Sequence, residues 1–392
     1  MIDRLCTLGT EPANDEALVH EIHTLSAEVL ASARMGDRLS VARLETEVRA
    51  DPDHAFSFAP DGTATLVAGG HSIPAGRFEV ASIGELRRRA HAERRAGVGL
   101  AGRDGRARFW VLSGTGALTD IGALQSTAGP GALFQVASQF NGLESPGPHI
   151  VRVADYFADP TQGPRAAISA FPGALLRHYA APDPSGKRFV QRDPRPQLDF
   201  LAGVGAPGLG QVRGGYLTGD DLKDPAAYAT AIEQQFDAIA VGIHDAVPVR
   251  LGFDWDGAVS GDRRIAQVFT STFAGGGYSR PGAEDPAIRA ICTVLLRAAY
   301  LGTLLAAVAL GRPRVGLTLI GGGVFGNPVA LIWDAVLWAL AEVTPHLSRD
   351  LDVVLNGRDL ARHLPLPVQL AATREHGGAL VVVDHERVAI VR

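Results

Sequence analysis

The sequence predicts an α/β fold, because strand-like and helix-like segments alternate through its C-terminal third. Residues 265–271 and 315–320 form apolar runs typical of buried strands, and a third such run covers residues 351–355. Helical patterns occupy the two intervals, at residues 285–310 and 328–343. This alternation favours parallel strands joined by crossover helices. We therefore expect the three strands to lie parallel in one mixed sheet, with helices on both faces as a three-layer α/β/α arrangement.

Composition is typical of a folded protein and argues against nucleic acid as a partner, a disulfide framework and a cysteine metal motif. Its 392 residues are 46% hydrophobic and 20% charged, and the formal net charge is -5. A negative balance gives no general attraction for a phosphate backbone, so nucleic acid is not an expected partner. Cys6 and Cys292 are the two cysteines, and their spacing suggests neither a disulfide framework nor a metal motif. With no secretory signal pattern at the first residues, this usage indicates a cytoplasmic protein.

The N-terminal part reads differently from the rest. Residues 14–30 carry an amphipathic helical pattern, and residues 55–80 show short apolar runs broken by turn residues, as in a small β-meander. We place a boundary near residue 75. This divides the chain into an N-terminal α+β extension, residues 1–75, and an α/β domain with long insertions, residues 76–392.

Two features that could indicate other functions have simpler interpretations. His20 and His23 share a helix face, but no third ligand is near, so we expect no metal site. Residues 291–310 are apolar enough to prompt the question of a membrane span. Arg297 lies inside this segment, and an arginine facing lipid is energetically unfavourable, so a helix buried against the sheet is expected and no membrane association.

A glycine-rich segment is the clearest candidate for a binding site. The predicted strand at residues 317–320 runs directly into Gly321, Gly322 and Gly323, and a helix follows with Asn327 as expected N-cap and Pro328 as first helical residue. Glycines leave backbone N–H groups uncovered, and a helix N-terminus adds further donors, so the segment suits an anion such as phosphate. A tight turn without a ligand has the same pattern. The segment matches neither the dinucleotide fingerprint nor the P-loop motif.

The same segment resembles the second ligand loop of macrodomains, and three further segments agree with that family in order. Residues 119–121 resemble its Gly-Asp-Ile stretch, and residues 137–141 resemble its Asn-Ala-Ala-Asn stretch. Residues 161–164 lie where the family has its first glycine-rich loop. The resemblance covers roughly residues 105–356, with much longer spacers than a minimal macrodomain has. It implies a macrodomain-like fold and a site for ADP-ribose or an ADP-ribosylated substrate, with no cofactor.

Roles for individual residues follow from this resemblance. Asp120 would hold the adenine amino group with Ile121 beside it, and Asn141 would reach the distal ribose. The two loops would bind the diphosphate and its neighbouring ribose. The residues placed there are Gln162, Gly163, Gly321, Gly322, Gly323, Val324, Phe325, Gly326 and Asn327. The resemblance also predicts that Asp120, Asn141, Gly163 and the 321–327 loop converge on one cleft.

The sequence also departs from the family pattern. The first loop has one glycine where the family has three, and the aspartate that positions water in many macrodomain hydrolases is missing. Glu144 and Asp159 are nearby carboxylates that could replace it, with Asn141 as the third candidate catalytic residue. For both carboxylates, a loop or cap hydrogen bond is the alternative role.

Three functions are therefore compatible with the sequence. The protein hydrolyses an ADP-ribosyl bond, or it is a non-catalytic reader of ADP-ribose or related nucleotides, or its loops bind another phosphorylated ligand or a protein partner. Residues 275–278, Gly-Gly-Gly-Tyr, follow the strand at 265–271, so parallel strands would place them at the same sheet edge as the second loop; a flexible connection without a role in the site is the alternative. Fold resemblance alone does not choose among these functions.

Overall fold

A computed structural model describes residues 1–8, 14–32, 38–101, 104–252, 262–384 and 387–392. Its helices are α1 Ile2–Leu8, α2 Asp15–Ser32, α3 Arg38–Ala50, α4 Ile83–Ala101, α5 Ile121–Ser126, α6 Gln162–Ser169, α7 Phe171–Tyr179, α8 Pro225–Gln234, α9 Pro286–Ala309, α10 Val329–Val343 and α11 Leu366–Glu375. Its strands are β1 Phe56–Phe58, β2 Ala64–Ala68, β3 His71–Ser82, β4 Ala107–Gly114, β5 Ala132–Ala137, β6 Ala181–Pro182, β7 Arg188–Phe189, β8 Ala240–Pro248, β9 Arg264–Thr270, β10 Arg314–Leu317, β11 Leu351–Arg358, β12 Leu380–Asp384 and β13 Arg387–Val391.

One mixed sheet of eleven strands organises the chain, in the order β1-β2-β3-β8-β9-β5-β10-β11-β4-β12-β13. The six central strands from β9 to β12 are parallel, and the outer strands at both ends pair antiparallel. The prediction that β9, β10 and β11 are parallel members of one sheet is confirmed. β5 lies between β9 and β10, so four parallel strands end side by side.

Helices cover both faces of this sheet, and two buried glutamines show how they are attached. The Gln135 side chain on β5 donates to the carbonyl of Ala299 in α9 (3.2 Å), whereas Gln267 on β9 donates to the carbonyl of Ala166 in α6 (2.8 Å). Gln267 is level with Phe134, the neighbour of Gln135, so the two side chains point to opposite faces. Since α9 and α6 pack on opposite faces, the predicted three-layer α/β/α arrangement is confirmed.

The strand before the glycine-rich segment is shorter than predicted, and its helix begins one residue later. β10 ends at Leu317 because the Thr318 amide donates to the Gln135 side chain and the Ile320 amide donates to the Thr318 carbonyl. Pro328, and not Asn327, is the N-cap of α10. The side-chain amide of Asn327 instead donates to the carbonyl of Phe273, 3.0 Å away, and so connects the loop to the neighbouring chain segment.

The N-terminal meander is continuous with the main sheet. β1, β2 and β3 pair antiparallel, as predicted, and residues 77–82 of β3 then pair with β8. Residue 75 lies within β3, so the hydrogen-bonded sheet crosses the boundary placed there. The division of the chain into two domains near this residue stays a prediction.

The long apolar helix lies inside the protein. α9 is long and apolar enough to cross a membrane by length and composition, yet 83% of its most apolar window is buried. Burying a leucine or isoleucine side chain stabilises a fold by about 1.5–3 kcal/mol. The helix therefore contributes strongly to the core between the sheet, α4 and α10, as the sequence predicted.

The close packing at β10 gives a first prediction. A β-carbon added to Gly316 would lie 2.6 Å from the Phe134 ring and 3.0 Å from Ile2. We expect Gly316→Val to lower the free energy of unfolding by about 1–3 kcal/mol or more, because overpacking displaces the core. Urea unfolding followed by circular dichroism measures this loss. Val67→Ala, a change at an exposed side chain of β2, is the control, and equal stability of the two variants would contradict this packing.

Candidate functional site

A cleft of about 490 Å³ opens where the central parallel strands end. Its floor is formed by residues at the carboxyl ends of four strands. These are Ser271 after β9, Ser138 after β5, Thr318 after β10, and Asn356 near the end of β11. Ligands of open α/β sheets bind beyond the carboxyl ends of the strands. The volume is in the range typical of small-molecule sites.

The glycine-rich loop forms one wall of the cleft, and its shape depends on close packing. Gly321 has φ +69°, and a β-carbon there would lie 2.5 Å from Thr272. Gly326, with φ +66°, packs directly on Gly276, with 2.9 Å between its would-be β-carbon and the Gly276 α-carbon. The backbone amide of Asn327 closes the loop by donating to the Gly321 carbonyl (2.9 Å). The predicted proximity of residues 275–278 to this loop is confirmed.

Backbone donors face the cleft from two sides. Within the described residues, the N–H groups of Gly323, Val324 and Phe325 donate to no protein acceptor. On the opposite side, Gln162 and Gly163 are the first residues of α6, where backbone N–H groups have no intrahelical acceptor. Amides gathered in this way, with the positive end of a helix, suit a phosphate or diphosphate group.

Glu144 lies in the cleft at the end of a tightly held turn. The Gln139 side chain accepts from the Ser145 amide (2.9 Å), and the Gln139 amide donates to the Leu143 carbonyl (3.0 Å). Asn141 completes the turn, because its side-chain oxygen accepts from the Leu143 amide at 3.0 Å. These bonds fix the backbone on both sides of Glu144, whose side chain lines the cleft.

The surroundings of Glu144 favour its protonated form. The side chain is only 4% exposed, and Oε1 is buried without a hydrogen-bond partner among the described residues. Burial raises the pKa of Glu144 well above its usual range, the charge of Asp159 raises it further, and Arg177 opposes the shift. Oε2 lies beside the first loop, since a β-carbon on Gly163 would come within 2.9 Å of it. The cleft thus contains a buried carboxyl group whose protonated form is favoured, and a second carboxyl group, that of Asp159, also lines it.

Three aromatic rings form the wall next to this acid. Phe325 lies 5.4 Å from Tyr278 and 5.6 Å from Tyr216, measured between ring centroids. The Tyr278 hydroxyl donates to the Pro146 carbonyl (3.2 Å), and the Tyr216 hydroxyl donates to that of Ser145. Phe325 was predicted to contact a ligand, and it lines the cleft within this cluster.

The far end of the cleft carries basic groups that sequence reasoning missed. Arg358, Arg362 and His363 line it, and Arg358 is half-buried with its guanidinium 3.5 Å from the Thr119 hydroxyl. Asp359 lies between them with φ +60°, and its carboxylate pairs with Arg362 at 3.3 Å. Polar residues at the end of the strand predicted at 351–355 were the available signal, because parallel strands end at a common edge.

Most of the predicted site residues do line the cleft. Those are Glu144, Asp159, Gln162, Gly163, Gly321, Gly322, Gly323, Val324 and Phe325. Asp159 is half-buried, and its Oδ1 accepts from the Thr161 amide at 2.9 Å, so it shapes the first loop as well. Two of the four matched segments therefore meet as predicted, and a third, residues 137–141, meets them through its earlier residues.

Three other predicted residues, Asp120, Ile121 and Asn141, make structural contacts and do not line the cleft, so their ligand roles stay predictions. Asp120 is buried, caps α5 through the Ala123 amide (3.2 Å) and pairs with Arg165 at 2.6 Å. Ile121 belongs to the core, and its amide donates to the Gln162 side chain (2.8 Å). The Asn141 side chain faces away from the cleft, and its amide nitrogen donates to the side-chain oxygen of Gln197, 3.0 Å away.

Gly326 and Asn327 also lie outside the cleft lining. Their contacts hold the second loop against the segment that follows β9, as described above. No group of three or more histidine, cysteine, aspartate or glutamate side chains is arranged to hold a metal in the part of the chain that the structure describes.

The raised pKa of Glu144 predicts how stability depends on pH. The folded state holds the Glu144 proton more tightly than the unfolded chain does. The resulting contribution to the free energy of unfolding is therefore fully present below the pKa of the unfolded chain, 4.5, and is lost as pH rises towards the pKa of the folded state. We expect the stability of Glu144→Gln relative to the wild type to rise with pH over this interval, with a slope approaching about 1.4 kcal/mol per pH unit. Urea unfolding between pH 4 and pH 8 measures the difference.

The exposed Glu375 on α11 provides the matched control, as Glu375→Gln. Its stability profile should run parallel to that of the wild type. A parallel profile for Glu144→Gln as well would contradict the buried, protonated state of this carboxyl group.

Comparison with known proteins gives a limited result. No family model matches the sequence, and no curated protein matches it. Among solved structures, poly(ADP-ribose) glycohydrolase from Thermomonospora curvata is 16% identical, with 81% of this chain and 92% of that chain covered and a TM-score of 0.41. Its complex with the inhibitor ADP-HPD has the same identity and coverage and a TM-score of 0.39. The Deinococcus radiodurans enzyme in complex with ADP-ribose is 14% identical, with 76% and 93% covered and a TM-score of 0.36. Likeness at this level assigns neither a ligand nor a residue role to this chain.

Proposed function

We propose that this macrodomain-like protein binds ADP-ribose, or a closely related nucleotide diphosphate, and hydrolyses an ADP-ribosyl bond. One observation carries the proposal. The unpartnered amides of the 323–325 loop lie between a buried carboxylic acid, Glu144, and a polar, basic end at Asn356 and Arg358. A diphosphate bound in the middle of this cleft would place one sugar at the acid and a nucleoside at the other end.

The order of the strands supports this orientation. β5, β10 and β11 are neighbours in the sheet, and the Glu144 turn, the glycine-rich loop and Asn356 belong to their three carboxyl ends in that order. Neighbouring strands are about 4.8 Å apart, so the three groups are spread across roughly 10 Å. An elongated ligand with a central diphosphate matches this sequence of contacts.

The anionic part of the ligand has several partners in the cleft. The amides of the 323–325 loop and the N-terminus of α6 offer hydrogen bonds and a positive dipole end from opposite sides. Arg358 adds a full positive charge from the β11 end. Backbone donors of this kind are preorganised, because the packing of Gly321 and Gly326 fixes the loop.

The two carboxyl groups suit glycosidic hydrolysis. Glu144, protonated, donates its proton to the leaving atom as the bond from that atom to the anomeric carbon breaks. Asp159 accepts a proton from the attacking water, whose oxygen forms the new bond to the anomeric carbon. The products are ADP-ribose and the protonated acceptor, and the negative charge of Asp159 favours the positive charge that develops on the sugar.

A non-catalytic reader of ADP-ribose is the second candidate, and one observation favours it. Asn141, the residue that the resemblance assigns to the distal ribose, faces Gln197 and supports the turn before Glu144. The distal ribose would then have fewer polar contacts than in the family pattern. Binding without turnover would identify this function.

Loop variants test the binding site. A β-carbon on Gly323 meets no protein atom within 4 Å, so Gly323→Val should fold normally while its side chain occupies the ligand's space. We expect ADP-ribose affinity, measured by isothermal titration calorimetry, to fall at least about tenfold, since the amides would be screened from the diphosphate. Gly321→Val should lower the melting temperature as well, because of its positive φ and its contact with Thr272.

Gly277→Val is the matched control, because Gly277 is equally open but does not line the cleft. It should bind ADP-ribose as the wild type does. Unchanged affinity in Gly323→Val would place the ligand elsewhere, and no affinity in the wild type would reject the proposed function.

Carboxylate variants separate chemistry from binding. We expect Glu144→Gln to keep ADP-ribose affinity and to lower turnover about a hundredfold or more, the scale typical of a lost proton donor. Asp159→Asn should have an effect of the same kind. Release of ADP-ribose from an ADP-ribosylated protein, followed by chromatography, measures turnover. The wild-type rate should fall as pH rises through the pKa of Glu144, because the acid then loses its proton. Full turnover in both variants would remove these residues from the mechanism.

A further inference from the structure

A second cavity, of about 1400 Å³, lies beside the proposed ADP-ribose cleft. Its sides are residues 77–80 of β3, the irregular segment 182–199 and residues 211–215. The segment 182–199 belongs to the long Pro/Gly-rich connection between α7 and α8. Loops of this length in a compact domain are commonly functional.

The strand that borders this groove has an open edge. β3 pairs with β2 through residues 71–76 on one side and with β8 through residues 77–82 on the other. On the β2 side, residues 77–80 pair with no strand among those the structure describes. An open edge presents a row of backbone donors and acceptors to which an extended peptide can add as a strand. At about 3.3 Å per residue, this edge offers roughly 13 Å of pairing.

A side-chain donor in the groove also has no acceptor among the described residues. Arg188 is half-buried, with its guanidinium 4.6 Å above the Phe58 ring, and its buried Nη1 has no hydrogen-bond partner in the part of the chain that the structure describes. Burial lowers the pKa of Arg188, with no carboxylate opposing the shift. A guanidinium in this state gains from an incoming carboxylate, because such pairs form strong, charge-assisted hydrogen bonds.

The acidic residues of the groove are already engaged by the protein's own donors. Glu79 pairs with Arg89 at 2.8 Å, and Asp193 accepts from the Ile150 amide at 2.6 Å. Asp183 accepts from the Lys187 amide (2.9 Å) and Asp199 from the Leu201 amide (2.8 Å). Among the described residues none of these four carboxylates pairs with Arg188, so the Arg188 guanidinium and the strand edge both have hydrogen-bonding capacity left for a ligand.

The groove and the proposed catalytic cleft share a thin wall. Glu144 and Ser145 line the cleft, and four residues later Pro148 and His149 line the groove. Across from them, Gly215 lines the groove and Tyr216 lines the cleft, and Gly214 packs on Pro148. Both segments run from the acid to the groove, so the groove lies on the side from which the leaving group would depart.

We propose that the groove docks an extended, acidic polypeptide as an additional strand beside β3, with a carboxylate of the peptide bound by Arg188. Its identification with the chain that carries the ADP-ribosyl group rests on the proposed function. Peptide docking itself depends only on the open edge and the unmet arginine.

A fluorescein-labelled decapeptide of alternating glutamate and valine tests the proposal by fluorescence anisotropy with the full chain. We expect saturable binding, at least tenfold weaker for the same peptide with N-methyl groups on alternate amides, because these remove strand hydrogen bonds. Arg188→Gln should weaken binding at least about fivefold. Arg88→Gln, an exposed arginine on α4 outside the groove, should have no effect.

Three results would overturn the proposal: no binding of the decapeptide, equal binding of its N-methylated form, or preferential binding of a decathymidylate. Calorimetry with ADP-ribose on the same preparation keeps the two proposals separate. Peptide binding without ADP-ribose binding rejects the proposed function alone, and ADP-ribose binding without peptide binding rejects the groove alone.

Discussion

Parallel pairing of β5, β10 and β11 is the constraint on which the candidate site depends. Because the strands run in one direction, their carboxyl ends meet at one edge, and the turn of Glu144, the glycine-rich loop and Asn356 are brought together there. The pairing in turn requires that the centre of the sheet be covered on both faces. The Gln135 and Gln267 side chains donate hydrogen bonds to buried carbonyl groups of α9 and α6, and apolar contacts around them hold these helices against the sheet.

At this edge the backbone itself forms a wall of the cleft, and close packing there requires glycine at particular positions. Gly321 and Gly326 hold positive φ angles against Thr272 and Gly276, where a β-carbon would collide. Gly323 is different, because its space is open. The first two glycines therefore fix the shape of the loop, and the third leaves the amides accessible. Sequence alone shows glycine at residues 321, 323 and 326 and cannot distinguish these two roles.

The predictability of the fold and of the site differs for a physical reason. Alternating apolar segments report the strands and helices directly, so the parallel order of β9, β10 and β11 followed from residues 265–355. The insertion of β5 between two of them did not, since pairing depends on contacts distant in sequence. The same holds for Asp120, whose family-like position gave no sign of its partner Arg165, forty-five residues away along the chain.

Arg358 and Asn356 were missed because the resemblance drew attention to four motifs, whereas the strand-end rule would have included the end of β11. Local chemistry was informative where it concerned short-range bonds. α6 begins at Gln162, within the segment matched to the first loop, and Asp159 accepts from the Thr161 amide. The exchange of roles between Asn327 and Pro328 at α10 arose from a longer-range bond, that of Asn327 to Phe273.

The turn that carries Glu144 places a carboxyl group in a buried position. Asn141 occupies the place of a ligand-binding residue in the family pattern, yet here it supports the backbone that holds Glu144. Burying a carboxyl group without a partner for Oε1 is unfavourable for stability, and a turn held by Gln139 and Asn141 is what keeps the group in that position. A protein gains nothing in folding from such an arrangement, since a glutamine or an apolar residue would be accommodated at lower cost. Local destabilisation of this kind is characteristic of functional sites, and it favours a chemical role for Glu144 over the loop-stabilising role that the sequence left open.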